Sequence, residues 1–168
     1  MRVTTLCFDK AVGWTSVESL PEAPQLVFWF GSFGLAQSSA AFDGLKARFP
    51  NALIAGCSTN GEIYEADVMD GAGVAAAIQF DSTQVRAARV VLTPGLDDYG
   101  LGRALAEQLD HPGLKGVFVL ADAFGMNGQE LGSEAPAGTE LAVFGPGSRF
   151  LGVGLAGPGE RVPGAGRL

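Results

Sequence analysis

The chain holds one histidine, two cysteines and eleven basic residues in 168 positions. Each scarcity closes off a class of chemistry. The single His111 and the widely separated Cys7 and Cys57 offer no CxxC or Cys/His spacing for zinc, and cysteines set beside apolar runs suit a reducing cytosol. Eleven scattered Lys and Arg against eighteen acids, with a formal charge of -7 and a pI near 4.6, leave no basic patch, which excludes nucleic acid as a partner. No apolar run approaches the roughly 18 residues of a membrane span, and the N-terminus lacks the charged segment, apolar core and cleavage site of a secretory signal. A cytoplasmic protein with no membrane span is therefore expected.

What is present is a 47% hydrophobic chain of the size of one domain. Arg2 to Phe8 alternates as a first strand, and Pro21 and Pro24 restrict Gly13 to Pro24 to one helical turn at most. Leu26 to Phe30 is apolar at every position, as a strand covered on both faces would be. Phe42, Leu45 and Phe49 recur as an amphipathic helix capped by Ser38 or Ser39 and stopped by Pro50. A strand at Leu53 to Gly56, parallel to the first apolar one, completes a crossover. Gly73 to Asp81 and Val85 to Leu92, three residues apart, are spaced as a hairpin, and Glu65 to Gly71 reads as an exposed acidic connection. Asp97 or Asp98 caps a helix on Leu101, Leu105 and Leu109, and Val117 to Leu120 is another buried strand. Strand-like Glu140 to Phe144 and Phe150 to Leu155 follow. The fold class is α/β, a mixed β-sheet with parallel crossover units, an antiparallel hairpin and helices packed on the sheet.

The most informative stretch is Asn51 to Tyr64, NALIAGCSTNGEIY, where an apolar strand stops in a cluster of small polar residues. Gly56 and Gly61 bracket Cys57, Ser58, Thr59 and Asn60, and Glu62 adds a carboxylate. Glycines let backbone N–H groups approach a ligand, so such a loop can offer donors, hydroxyls and a thiol to one point. Ser32 ends the parallel neighbour, and Asp122 and Asn127 follow the later buried strand, where α/β sheets place a ligand crevice. Ser58, Thr59 and the loop N–H groups suit a carboxylate, and Glu62 or Asp122 suits an amine.

The run Gly56, Cys57, Ser58, Thr59, Asn60, Gly61, Glu62, Ile63 resembles the GCST-x-GEI signature of the N-terminal FIST sensory domain. LVFWFGS from Leu26 to Ser32, the stretch from Leu114 to Leu131 and GVGLAG from Gly152 to Gly157 are similar to the same family. The resemblance implies a ligand-sensing input domain of bacterial signal transduction and not an enzyme, binding a small molecule for which amino acids have been suggested. It assigns residues 1–157 to the sensory domain, and 158–168, rich in Gly and Pro and without apolar periodicity, reads as a tail. It also implies a FIST_C-like half or a downstream signalling domain or protein as partner; the chain has no room for such a half, so the domain is expected to be incomplete, with Phe144, Phe150 and Leu151 left exposed.

Three other readings stand beside this one. Cys57 at a strand exit suits a nucleophile in a cysteine-dependent enzyme, although no base is placed for it, and a small packed thiol satisfies the same residue. His111 suits a haem-based nitric oxide sensor, which the resemblance admits, although no haem motif is visible and no cofactor is expected. A structural remnant that binds nothing needs only turn and capping roles for Glu62 and Asn127. Trp14, Trp29 and Phe33 are candidates for an apolar pocket, Trp29 more simply as core.

Overall fold

The computed structural model describes residues 1–90, 97–110 and 113–120 and, as backbone strands, 140–144 and 150–156. Its elements in chain order are β1 Arg2–Asp9, β2 Gly13–Thr15, β3 Leu26–Ser32, α1 Phe33–Ala36, α2 Ser39–Arg48, β4 Leu53–Thr59, β5 Glu62–Tyr64, β6 Asp67–Met69, β7 Gly73–Gln79, β8 Gln84–Val90, α3 Asp98–Leu109, β9 Leu114–Leu120, β10 Glu140–Phe144 and β11 Phe150–Ala156.

The described residues form three sheets. The first runs β2-β1-β7-β3-β4, the second β10-β9-β11-β8, and β5 with β6 forms a two-stranded hairpin. β3 and β4 are parallel neighbours joined through α1 and α2, as the apolar runs predict, whereas β7 is antiparallel to both β1 and β3. Parallel and antiparallel pairings thus mix, and the α/β class stands.

The partner of β7 differs from the sequence expectation. β7 and β8 do not form a hairpin: both edges of β7 are already occupied, and β8 pairs instead with β11 in the second sheet. The short connection at Ser82 and Thr83 carries the chain from one sheet to the other. Two further stretches differ. Gly13 to Thr15 is a strand that pairs with the end of β1 and not a helical turn, and the acidic connection after Glu62 contains β6.

Side-chain alternation explains how the sheets stack. One face of the first sheet presents Leu6, Phe8, Val27, Trp29, Ala75 and Ala77 to Leu35, Ala41, Leu45 and Phe49 of the α1–α2 side. The opposite face presents Leu26, Phe28, Ala55 and Ile78 to Leu120, Phe118 and Val85 of the second sheet, with the Phe28 and Phe118 rings 4.3 Å apart. α3 covers the far side of that second sheet through Leu101, Leu105 and Leu109 against Ala88, Val90, Val117 and Val119. The order is helices, sheet, sheet, helix.

The helices begin where the sequence marks them. Ser38 Oγ accepts from the Ala40 N–H at 3.3 Å and Asp97 Oδ1 from the Gly100 N–H at 2.8 Å, each satisfying a donor the helix leaves open. The apolar stripe of α2 is Ala41, Leu45 and Phe49, while Phe42 is exposed. Trp14 is tied down by its indole N–H, which donates to the Ala41 carbonyl at 2.7 Å. Trp14 and Trp29 are both core residues and Phe33 is exposed, so the three do not line a common pocket.

Gly56 faces Trp29 directly across the parallel pair. A Cβ at this position would lie 2.0 Å from the Trp29 carbonyl oxygen and 2.4 Å from its ring, and the first of these is backbone that cannot step aside. Gly56→Ala is therefore expected to destabilise the fold by about 2–4 kcal/mol, the upper range for overpacking a core. A urea midpoint equal to that of the parent would refute this.

Candidate functional site

The described part of the candidate site lies at the carboxyl end of β3 and β4, where Ser32 and Thr59 are register partners. Both strands end in small polar residues, so the chain leaves the sheet here without burying a bulky group. Ser32 is already engaged as the N-cap of α1, its Oγ accepting from the Leu35 N–H at 3.4 Å. Thr59 donates its hydroxyl to Glu62 Oε1 at 2.7 Å.

Glu62 is the unusual residue. It and Thr4 are the buried polar side chains among the described residues, at 2% and 1% exposure. Thr4 is satisfied, donating to the Ser19 carbonyl. Glu62 is satisfied at one oxygen only, for Oε2 is buried without a hydrogen-bond partner. An unpaired buried polar atom costs about 1–3 kcal/mol, more when charged, so such an atom calls for an explanation.

The burial also inverts the hydrophobic pattern. In Glu62-Ile63 the carboxyl is inside and the isoleucine is 72% exposed. The cause is the hairpin, whose register pairs Glu62 with Met69 and Ile63 with Val68. Met69 Sδ lies 4.0 Å from Cys7 Sγ of β1, which fixes the Glu62/Met69 face as the inner one. β5 packs against β1, β3 and β7. The turn between the strands places Glu65 at φ 56, a conformation that non-glycine residues seldom adopt.

The other expected site residues divide. Cys57 is half-buried and packs at the seam between the two sheets. Alternation puts Ser58 on the helix-covered face and Thr59 on the opposite one, so their hydroxyls do not converge on one group. Asn60 and Gly61 are exposed beside the hairpin. The close approach that Gly56 permits in the structure is to Trp29. Asp122 and Asn127 lie outside the described residues, as do His111, the side chains of Phe144, Phe150 and Leu151, and residues 158–168.

Met69 and the pairing of Ile63 with Val68 were not singled out by sequence reasoning. The hairpin that unites them carries no Asn-Gly or Asp-Gly turn, the usual signal. Among the described residues no group of three or more His, Cys, Asp and Glu side chains is placed to hold a metal ion. Nor is any helix among them long and apolar enough to cross a membrane.

Burial pushes the Cys57 thiol above its ordinary range, and the Cys7 thiol is raised by burial and then by the nearby Asp9 carboxylate. A raised thiol is mostly protonated at neutral pH, the reverse of what nucleophilic catalysis needs.

The fold defines the class as a mixed-sheet α/β domain. A family model for the FIST N domain matches residues 25–152, more than half of the chain, and the chain belongs to that family of signal-transduction sensory domains. No curated protein matches the chain.

In a Cys7→Ser background, iodoacetamide is expected to label Cys57 more slowly at neutral pH than it labels an unstructured cysteine peptide. The rate should rise only as the pH climbs past the ordinary thiol range, because the protonated form is the one that burial favours. Fast labelling at pH 7 would restore the nucleophile reading.

Proposed function

We propose that this chain is a small-ligand-binding input domain of bacterial, cytoplasmic signal transduction, and that its ligand is an amino-acid-like molecule whose amine is received by Glu62. The observation that carries the proposal is the unpartnered Oε2 of a carboxyl that is 2% exposed, at the exit of two parallel strands. The bond from Thr59 occupies only one of the two carboxyl oxygens. An apolar side chain of similar volume would relieve the unpaired oxygen, whereas a ligand donor would satisfy it.

The chemistry follows from the donor inventory. An ionised carboxyl only accepts, so its natural partner is a donor, and an ammonium gives the strongest charge-assisted bond. Thr59 orients the carboxyl by holding Oε1, leaving Oε2 for the ligand. Backbone N–H groups around Asn60 and Gly61 then suit the ligand's carboxylate. Since Oε2 is sealed from solvent, the ligand reaches it only when the β5–β6 hairpin lifts, which makes that hairpin the element that binding moves. The family is generally non-enzymatic, and the raised Cys57 thiol agrees with a binding role.

Two substitutions separate ligand anchoring from a structural role. Glu62→Met should raise the melting temperature of the ligand-free protein and abolish the thermal stabilisation given by an amine-bearing hit from an amino-acid screen. Glu62→Gln should weaken that hit by about tenfold or more in calorimetry, given the worth of a charged hydrogen bond. If Glu62→Gln binds as tightly as the parent, the site is elsewhere.

A further inference from the structure

The β5–β6 hairpin has a second face, and it is the one with no work inside the fold. Ile63 and Val68 are cross-strand partners, 72% and 77% exposed, standing side by side on the outer surface. Directly opposed β side chains pack together, so the two form one apolar knob. Glu65 in the turn and Asp70, two residues beyond Val68 on the same face, flank it, both exposed, and neither has an ion-pair partner among the described residues. The hairpin is also a two-stranded sheet of its own among those residues, and such a pair is short of the third strand that normally stabilises a sheet.

We propose that this face docks an extended segment of a partner protein. The segment adds along the hairpin, packs a β-branched or aliphatic side chain on Ile63 and Val68, and sets lysine or arginine beside Glu65 and Asp70. Charge decides between occupants. A second copy of this chain would bring two sets of acids together, on molecules that each carry a formal charge of -7, whereas a basic segment neutralises them. Main-chain pairing supplies affinity and alternate side chains supply selectivity, as in other strand additions.

The link to signalling rests on the reading of Glu62 as ligand anchor. Alternation along β5 puts Glu62 inside and Ile63 outside on consecutive residues, so a ligand that shifts the carboxyl shifts the docking knob with it. The surface itself does not depend on that reading.

Short random peptides displayed on phage and selected against the intact chain, with no small molecule present, test the surface. Enriched peptides should alternate apolar with basic residues and protect the amides of residues 62–69 from hydrogen exchange. They should bind the Ile63→Ser/Val68→Ser variant about tenfold or more weakly. Both side chains are exposed, so an unchanged melting temperature is expected for that variant, and Glu65→Lys/Asp70→Lys gives a second, independent loss of binding. Absence of enrichment, peptides without basic residues, equal binding to either variant, or a dimer of the chain that the first variant dissolves would each overturn the proposal. Adding an amine-bearing ligand distinguishes the two readings: peptide capture that no ligand changes removes the sensory assignment of Glu62 and leaves the docking surface, and ligand binding without peptide capture does the reverse.

Discussion

The structure depends on the parallel contact between β3 and β4, and that contact depends on a missing atom. Trp29 spreads over the backbone of Gly56, where any side chain would strike the Trp29 carbonyl. The fit pins the register of the two strands to the single residue, because a slip would set a Cβ under the indole. Everything at the site is counted from this lock. It brings Ser32 beside Thr59, fixes where β4 ends, and so fixes where Glu62 turns back across the sheet.

Packing on the two faces of that sheet has different character. The helix side is built from large residues that knit with Trp14 and Trp29, and the other side is a sheet-to-sheet seam of Leu26, Ala55 and Leu120 with phenylalanines at its margin. The half-buried thiol of Cys57 belongs to this margin, where its raised pKa is a by-product of burial. The signature run therefore divides into three roles: Gly56 for register, Cys57 for packing, and Thr59 with Glu62 for a polar pair whose second oxygen is left free.

Much of the architecture was legible because the apolar runs are unambiguous. Leu26 to Phe30 and Leu53 to Gly56 have few ways to be satisfied other than in the interior of a sheet, and leucines four apart on α3 leave one face to bury. The hairpin expectation at Ser82 to Gln84 failed for a reason no local window contains: the strand that takes the free edge of β7 is β1, from the far N-terminus. Phe42 was misplaced because Ala41, one position away, packs closer to the sheet. At the site, Glu62 was legible as a candidate but its burial was not, since hydrophobicity alone would turn Ile63 inward. The β5–β6 turn, with Glu65 in a left-handed conformation, hid the geometry that reverses them.

The step from one sheet to the other at Ser82 and Thr83 also orders events in time. Every strand of the first sheet comes from residues 2–79 and every strand of the second from residues 84–156, so the two are laid down one after the other as the chain leaves the ribosome. The first can close before the second exists, and its seam of Leu26, Phe28, Ala55 and Ile78 then waits uncovered until β9 and β11 arrive. For a chain translated at roughly 5–20 residues per second that exposure lasts seconds, an interval in which the sheet has no cover from the finished fold.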